Sequence, residues 1–462
     1  MNLTLRPYQI KAITDLRNAY RSGHRAPLLV APTGSGKTVI FTFITEKATE
    51  RGKSTLILVH RQELIDQTSM ALSDMDVPHG IIAPKYPATH DKVQIASVQT
   101  LVRRMKRLTL QPQLIIIDEC HHMPAKTYTT IINYYDSALR LGITATPLRL
   151  DGKGLSEYFD SMVRGPEVQE LIDLGYLSEP IIYSFPFMKS LKSIHKRGGD
   201  FSMDELADVM NDIDITGDAI QHYLKYTPHD PAITFCTTIK HASDVTDAFN
   251  NCGVPSALFA GKMTRLRRRG YIEDLANGRI KNLVSCQMIS EGTDIPIVRT
   301  SILLRPTQSL SMCLQQCGRV LRPYPGKPNS VILDHAGNCI KHGPPQWSRE
   351  WSLDGVKRKP SVKISYKQCP RCFNMIAISA VQCPTCGYVY TAADREINYS
   401  DSELERLDPE ELKLIKKREA GKRRSEVFEA RTIDELIIIA RQRGHEDGWA
   451  YHIMKAREAK GA

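Results

Sequence analysis

The 462-residue sequence has no long hydrophobic run. No segment approaches the roughly 20 apolar residues that a membrane-spanning helix needs, and residues 1–6 lack the apolar core of a secretory signal. These absences argue against a secreted protein and a membrane protein, and we expect a cytoplasmic protein with no membrane partner. The 11 cysteines are then expected to remain reduced thiols rather than to form disulfides.

What the sequence does contain is typical of a globular chain. Hydrophobic residues make up 42% and charged residues 24%, which is enough to build a core. The length suggests about three domains at roughly 150 residues each. The net charge of +11 has two interpretations, solubility alone or a polyanionic partner, and charge by itself does not decide between them.

Short apolar runs alternate with amphipathic segments through most of the chain. Runs that are apolar throughout are typical of parallel strands covered on both faces. Such runs lie at 28–31, 54–59, 93–97, 114–118 and 141–145, and again at 232–235, 282–285, 300–304 and 330–334. The pattern predicts two α/β domains in tandem that meet near residues 165–185.

The composition changes after Asp334. Residues 341–367 are basic and contain Trp347 and Trp351, which is typical of a linker. From about residue 400 the chain is highly charged and predicts helices, with Asp401 as an N-cap. These helices could bind DNA or a partner protein, and the sequence does not distinguish the two.

A glycine-rich loop follows the first apolar run. Its sequence from Ala31 to Thr38 is APTGSGKT, and a helical pattern comes next. Glycines let backbone N–H groups surround a phosphate, and the N-terminus of the helix favours negative charge. Lys37 is expected to reach the outer phosphates of ATP, and the Thr38 hydroxyl to bind Mg²⁺. A flexible turn is the alternative, because the general pattern begins with Gly where this chain has Ala31.

An acidic pair ends the apolar run at 114–117. Asp118 can hold Mg²⁺, and Glu119 can polarise an attacking water molecule. An acidic turn that caps a helix is the alternative, and it would be preferred if the pair stood alone.

Phosphoryl transfer also needs positive charge on the far side of the phosphate. Arg319 and Arg322 lie three residues apart, so on a helix they would share a face and reach one ligand. We expect them to act as arginine fingers from the second domain. A solvated basic helix face is the alternative for an isolated pair.

The motifs occur in the order found in superfamily 2 helicases, and the chain resembles the DEAD/DEAH-like branch of that family over residues 5 to about 335. Motif II reads DECH, and Ala31 is normal at the start of motif I in this family. The matching segments are 5–9, 31–38, 59–64, 96–101, 118–121, 144–147, 234–238, 290–296 and 315–322. The resemblance implies two RecA-like domains with ATP and Mg²⁺ bound between them.

The resemblance also implies roles for individual residues. Nucleotide binding is implied for Arg6, Gln9, Thr33, Gly34, Ser35, Gly36, Lys37, Thr38, Gly292 and Asp294. Catalysis is implied for Lys37, Asp118, Glu119, Arg319 and Arg322. Contact with nucleic acid is implied for Arg61, Gln99, Thr100, Thr146, Thr238 and Thr293, and coupling of hydrolysis to movement for His121, Thr144 and Gln315.

Within the superfamily, the chain is most similar to RadD-type bacterial DNA repair helicases and related phage helicases. Residues 146–155 and 171–177 carry this likeness, together with a late cysteine cluster and residues 448–451. It implies DNA rather than RNA as the partner, and the cytoplasm of a bacterium or a phage-infected cell as the location.

The cysteine cluster has the spacing C-x2-C-x10-C-x2-C, formed by Cys369, Cys372, Cys383 and Cys386. Two such pairs suit tetrahedral Zn²⁺. Redox activity as two dithiols is the alternative, but the βα context of thioredoxin-like sites is missing. The zinc ribbon is expected to stabilise a domain with little core of its own, and whether it also contacts phosphates stays open.

We therefore expect an α/β protein with two tandem RecA-like parallel-sheet domains, a small zinc ribbon and a C-terminal helical segment. The expected divisions are 1–178 and 179–340 for the two domains, 341–365 for a basic linker, 366–392 for the ribbon and 393–462 for the helical region. The expected function is an ATP-dependent DNA helicase or translocase in repair, recombination or replication. An RNA helicase, a double-stranded DNA translocase subunit that does not separate strands, and an ATP-binding module without motor activity are the alternatives. Motif VI argues against the last of these.

Overall fold

The computed structural model divides the chain into two compact units, Met1–Lys357 and Arg358–Ala462. In the first unit the described residues are 4–123, 126–149, 154–184, 196–197, 200–201, 213–260, 263–286 and 295–355. In the second unit they are 366–368, 375–377, 382, 405–406, 433, 436 and 454.

The first lobe of unit one is built on a seven-stranded parallel sheet with the strand order β3-β4-β2-β5-β6-β1-β7. Its strands are β1 (Pro27–Val30), β2 (Thr55–Val59), β3 (His79–Ile82), β4 (Val93–Ser97), β5 (Leu114–Asp118), β6 (Leu139–Thr144) and β7 (Ser161–Arg164). Its helices are α1 (Pro7–Arg21), α2 (Lys37–Glu50), α3 (Gln62–Ser73), α4 (Val98–Arg104), α5 (Lys126–Tyr134) and α6 (Val168–Asp173), with 3-10 turns at Met105–Arg107 and Cys120–His122.

The apolar strands of this sheet are buried on both faces. Leu28 and Val30 pack into one core cluster, whereas Leu29 and Ala31, which point the opposite way, pack into another. Because neighbouring side chains of a strand leave on opposite faces, a strand covered on both sides must be apolar at every position. That requirement explains the continuous apolar runs in the sequence.

The second lobe repeats this architecture. Within the first unit its parallel strands follow the order β12-β13-β11-β14-β15-β8. They are β8 (Pro180–Ser184), β11 (Ala232–Phe235), β12 (Ser256–Phe259), β13 (Asn282–Ser285), β14 (Thr300–Leu303) and β15 (Ser330–Asp334), while β9 (Lys196–Arg197) and β10 (Asp200–Phe201) form a separate antiparallel pair. The helices are α7 (Ile213–Tyr226), α8 (Ile239–Asn251), α9 (Arg265–Ala276), α10 (Leu310–Gly318) and α11 (Asn338–His342).

The prediction of two parallel-sheet α/β domains in tandem is thus confirmed. The chain leaves the first sheet at β7 and enters the second at β8. In the second unit, β16 (Tyr366–Gln368) pairs antiparallel with β17 (Met375–Ala377). Cys369, Cys372, Cys383 and Cys386 and the predicted C-terminal helices lie outside the described residues. Within the described part of the chain, no helix combines the length and apolarity needed to cross a bilayer.

Residues 343–355, here named the strap, run from the second lobe back over the first. The carbonyl of Leu353 accepts hydrogen bonds from the backbone N–H groups of Leu155 (2.7 Å) and Ser156 (3.0 Å). The carbonyl of Trp351 accepts one from Arg164 on the edge strand β7 (2.9 Å), and the side chains of Trp351 and Leu353 pack against the core of the first lobe. In its described part, the predicted basic linker is therefore folded onto the first lobe.

Candidate ATP site and its connection to the second lobe

A cleft of about 560 Å³ opens between the two lobes, within the usual size range of small-ligand sites. Both lobes contribute to its lining, which includes Arg6, Gln9, Thr33, Gly34, Gly36, Lys37, Thr38, Asp118, Glu119, Tyr176, Pro296, Arg319 and Arg322. The structure therefore brings together most of the residues predicted for ATP binding and catalysis. Ser35 is fully buried, and Gly292 and Asp294 lie outside the described residues.

The glycine-rich loop connects the end of β1 to the first turn of α2. Gly34 and Gly36 have positive φ angles of 86° and 78°, a conformation that strongly favours glycine. A β-carbon on Gly36 would also lie 2.5 Å from the side-chain amide nitrogen of Gln9, so any larger residue there would displace the Gln9 side chain. The Lys37 ammonium lies within the same loop, where it donates to the carbonyls of Ala31 (3.3 Å) and Pro32 (3.4 Å).

The amino-terminal element is fastened to this loop. The hydroxyl of Tyr8 donates to the carbonyl of Ser35 (2.9 Å), and the amide of Gln9 donates to the same oxygen (3.4 Å). The backbone N–H of Arg6 donates to the Gln9 side chain (2.9 Å). The Arg6 guanidinium lies 4.2 Å from the ring centre of Tyr176, so Arg6 and Gln9 enter the cleft from one side.

The two acidic residues stand at the end of β5. Glu119 adopts a φ of +48°, which is uncommon for a residue other than glycine, and its N–H donates to Asp118 Oδ1 (2.9 Å). Burial and the neighbouring Glu119 raise the pKa of Asp118 to about 6. Two carboxylates held together in a buried site favour the presence of a cation.

Mg²⁺ fits this set of donors. The Thr38 hydroxyl and the Asp118 carboxylate are hard oxygen ligands that line the same cleft, and Mg²⁺ prefers such oxygens. Among the described residues, no group of three or more histidine, cysteine or acidic side chains could hold a metal by itself.

The two arginines reach the cleft by a route that the sequence did not predict. We expected them to share a helix face, and this expectation is wrong, because α10 ends at Gly318 and Arg319 is already its C-cap. Arg322 lies in the loop that follows. The Lys327 ammonium holds this loop by donating to the carbonyls of Val298 (2.7 Å), Val320 (2.5 Å) and Arg322 (2.7 Å).

A chain of polar contacts leads away from Glu119. His121 Nδ1 lies 3.3 Å from a Glu119 carboxylate oxygen and 3.1 Å from the Thr144 hydroxyl. Thr144 donates to the carbonyl of Thr146 (2.9 Å). The Thr146 hydroxyl donates to Ser311 on α10 (2.6 Å), so the contacts cross from the first lobe to the second.

The residues expected to contact nucleic acid differ in exposure, and some of them are buried. Arg61 precedes α3 and is half-buried, and Gln99 is exposed on α4. The Thr238 hydroxyl caps α8 by accepting the N–H of His241 (3.1 Å). Three other side chains on which the sequence placed roles, Thr100, Thr146 and Gln315, are buried, and Thr293 lies outside the described residues.

Sequence reasoning missed four residues of this site: Tyr8, Tyr176, Ser311 and Lys327. Tyr8 lies inside the matched segment 5–9, so its position was available as a signal. Tyr176 likewise lies inside the matched segment 171–177. Ser311 and Lys327 act through contacts that no motif in the sequence indicates.

Comparison with known proteins agrees with this arrangement. Residues 2–149 match the family described as Type III restriction enzyme, res subunit, and residues 216–324 match the family described as Helicase conserved C-terminal domain.

Two relatives and one solved structure show how far the likeness extends. The 51.5 kDa protein of Lactococcus phage (isolate 7-9) is 33% identical over 84% of this chain and 83% of its own length. A Saccharomyces cerevisiae protein described as an ATP-dependent helicase, IRC3, is 30% identical over 72% of this chain, which spans 51% of the yeast protein. A fragment described as the HsdR subunit of a type I restriction enzyme from Vibrio vulnificus has a similar fold, with a TM-score of 0.60 at 21% identity over 73% of this chain and 65% of the fragment.

The fold and the cleft define a two-lobed ATPase of the helicase class. The chain belongs to the superfamily 2 helicases of the DEAD/DEAH-like branch, as its motifs predict. The activity of this class is ATP hydrolysis coupled to unwinding of, or movement along, nucleic acid.

Proposed function

We propose that the protein is a motor that moves along DNA and separates its strands at the expense of ATP, in the repair, recombination or replication of DNA in a bacterium or a phage-infected cell. The observation that carries the proposal is the single cleft that collects the phosphate-binding loop, the acidic pair and the two arginines. A nucleotide-binding module without motor activity would not need arginines from a second lobe.

Each part of the cleft has a proposed task. Lys37 and the N–H groups of the glycine-rich loop bind the phosphates, and Thr38 and Asp118 hold Mg²⁺, which neutralises phosphate charge. Glu119 positions the attacking water. Arg319 and Arg322 stabilise the charge that develops as the outer phosphoryl group leaves.

DNA is the proposed track rather than RNA. The matched restriction-enzyme family supports DNA. The net charge of +11 suits any polyanion and does not distinguish the two. Binding through phosphates would give little sequence preference. Arg61, Gln99 and Thr238 are the described candidates for this contact, and Thr293 remains a prediction.

The proposed function is tested by ATP turnover with single-stranded DNA, duplex DNA, forked DNA and RNA, each at matched salt. Stimulation by DNA above that by RNA supports the proposal, and Lys37→Ala should abolish turnover. Lys53→Ala, at an exposed lysine, is the matched control. Equal stimulation by RNA would favour an RNA helicase. Turnover without strand displacement would favour a translocase.

The second unit is proposed to hold one zinc ion through Cys369, Cys372, Cys383 and Cys386. The spacing C-x2-C-x10-C-x2-C supports this, because two such cysteine pairs suit tetrahedral Zn²⁺. Metal analysis of the purified protein should find about one zinc per chain, and Cys369→Ser with Cys383→Ser should remove it. Protein with no bound zinc after purification without chelators would contradict the assignment.

The domain divisions 1–178, 179–340, 341–365, 366–392 and 393–462 remain proposals of the same kind. The charged region beyond residue 393 is proposed as the contact for a protein partner. Limited proteolysis with mass spectrometry would locate the boundaries, because cleavage concentrates in exposed segments between domains.

A further inference from the structure

One hydrogen bond joins the two lobes beside the ATP cleft. Thr146 follows β6 in the first lobe, and Ser311 lies in the first turn of α10 in the second. Their hydroxyl oxygens are 2.6 Å apart, and the two residues are 0% and 3% exposed. A hydrogen bond shielded from water in this way is lost outright when the lobes separate, so its presence reports one defined arrangement of the lobes.

The bond is the last link of a chain that starts at the proposed catalytic carboxylate. The Thr144 hydroxyl donates its hydrogen bond to the carbonyl of Thr146. Toward His121 Nδ1 it can therefore only act as the acceptor. That assignment places a proton on Nδ1, which then also faces the carboxylate of Glu119 at 3.3 Å. The position of Glu119 is thus linked by side-chain contacts to Thr144, then to Thr146, and finally to Ser311.

On the far side, Ser311 is rigidly connected to the arginines. Ser309 caps α10 by accepting the N–H of Met312 (3.3 Å), and the helix ends at Gly318, with Arg319 as its C-cap. A nine-residue helix is about 13 Å long and moves as one body. A displacement of Ser311 is therefore passed to Arg319 at the other end.

We propose that Ser311 is a positioning residue that couples the position of Glu119 to the placement of the arginines and so to movement of the second lobe. This inference rests on the proposed function and names the residue on the second lobe through which coupling occurs. Ser311 does not reach the cleft, so its effect is on the arrangement of the lobes and not on the bound nucleotide.

Ser311→Ala is the principal test, with Ser311→Thr as the conservative variant that keeps a hydroxyl. Losing one buried hydroxyl pair should lower DNA-stimulated ATP turnover about three- to tenfold, with nucleotide affinity unchanged and more ATP consumed per strand displaced. Ser311→Thr should restore most of the coupling. Thr246→Val is the matched control, because Thr246 is buried in the second lobe and its hydroxyl donates to the Ala242 carbonyl within α8, away from α10.

A double-mutant cycle separates coupling from a general loss of stability. If Thr146 and Ser311 act through their mutual bond, Thr146→Val with Ser311→Ala should reduce stimulation no further than either change alone. The proposal would be overturned if the double variant lost stimulation by the product of the two single losses. It would also be overturned if Ser311→Ala protein kept full stimulation by DNA. Wild-type protein that no nucleic acid stimulates would instead contradict the proposed function, so the two failures are distinguishable.

Discussion

Gly318, the last residue of α10, packs directly on Thr33 of the phosphate-binding loop. A β-carbon on Gly318 would lie 2.8 Å from Cβ of Thr33, closer than carbon atoms can approach. The second lobe thus reaches the loop through a contact that only glycine permits.

Gly318→Ala should therefore hold the lobes apart and slow ATP turnover about tenfold or more, because a displacement of about 1 Å at a catalytic group has effects of this size. ATP binding should weaken much less, since the loop itself is unchanged. Gly270→Ala in α9 is the matched control, because a β-carbon there meets no atom within 4 Å. Steady-state kinetics of the two variants would contradict the contact if Gly318→Ala kept wild-type turnover.

Glu119→Gln should retain ATP binding and lose hydrolysis. The amide has the size of the carboxylate and can adopt the same backbone conformation, but it cannot accept a proton from water. Loss of a general base costs about 10²- to 10⁴-fold in rate. Single-turnover hydrolysis, alongside binding of a fluorescent nucleotide, measures both quantities. Glu157→Gln, at an exposed position, should leave both unchanged. A Glu119→Gln protein that hydrolyses ATP at the wild-type rate would exclude the assigned role.

Tyr176→Leu should raise the KM for ATP and leave kcat nearly unchanged. The Tyr176 ring supports the Arg6 guanidinium at 4.2 Å and meets the Tyr8 ring edge-on at 5.5 Å. A cation–π contact at a partly exposed site contributes about 0.5–1 kcal/mol, so a rise of about threefold is expected. Tyr176→Phe keeps the ring and should behave as wild type. An equal rise in both variants would show that the hydroxyl, rather than the ring, matters.

Lys327 should give the stability a dependence on pH. Burial, with Arg322 and Arg299 nearby, lowers the pKa of Lys327 from 10.5 to about 7. Between these two values the unfolded chain binds a proton that the folded chain does not, so the contribution of Lys327 to stability becomes more favourable as pH rises through this window. Below about pH 7 the contribution is constant.

The measurement is denaturant unfolding of wild-type and Lys327→Met protein at about pH 7 and about pH 9.5. The free energy of unfolding of the wild type, minus that of the variant, should increase between the two pH values. Lys53→Met, at an exposed lysine, should show no such change. A constant difference for Lys327→Met would mean that the three carbonyls keep the ammonium charged throughout.

Much of the fold was predictable because a strand that is buried on both faces of a sheet appears in the sequence as a continuous apolar run. The runs at 93–97, 114–118 and 330–334 match strands residue for residue. Strand β3 was not predicted, since its residues alternate between buried and half-buried and include a histidine and a glycine. Strand β7 was also missed, because it is a half-exposed edge strand.

The site was predictable to the extent that its residues stand in local motifs. Lys37, Asp118 and Glu119 follow from the strand and loop that present them. The helical pairing of Arg319 with Arg322 failed because the spacing of three residues says nothing about where the helix ends. Ser311 depends on how the lobes meet, and Tyr176 on how its segment packs against the amino-terminal element, and both are tertiary properties.

The strap gives the motor a second connection between its halves. One path along the chain crosses between the lobes after β7, and another returns through residues 343–353. Nine residues from 343 to 351 extend to about 30 Å at most, and the contacts of Trp351 and Leu353 with the first lobe set where that span begins. The distance by which the two lobes can separate around the ATP cleft is therefore limited. A single break in the chain between β7 and β8 would leave the two lobes connected through the strap, rather than free to diffuse apart.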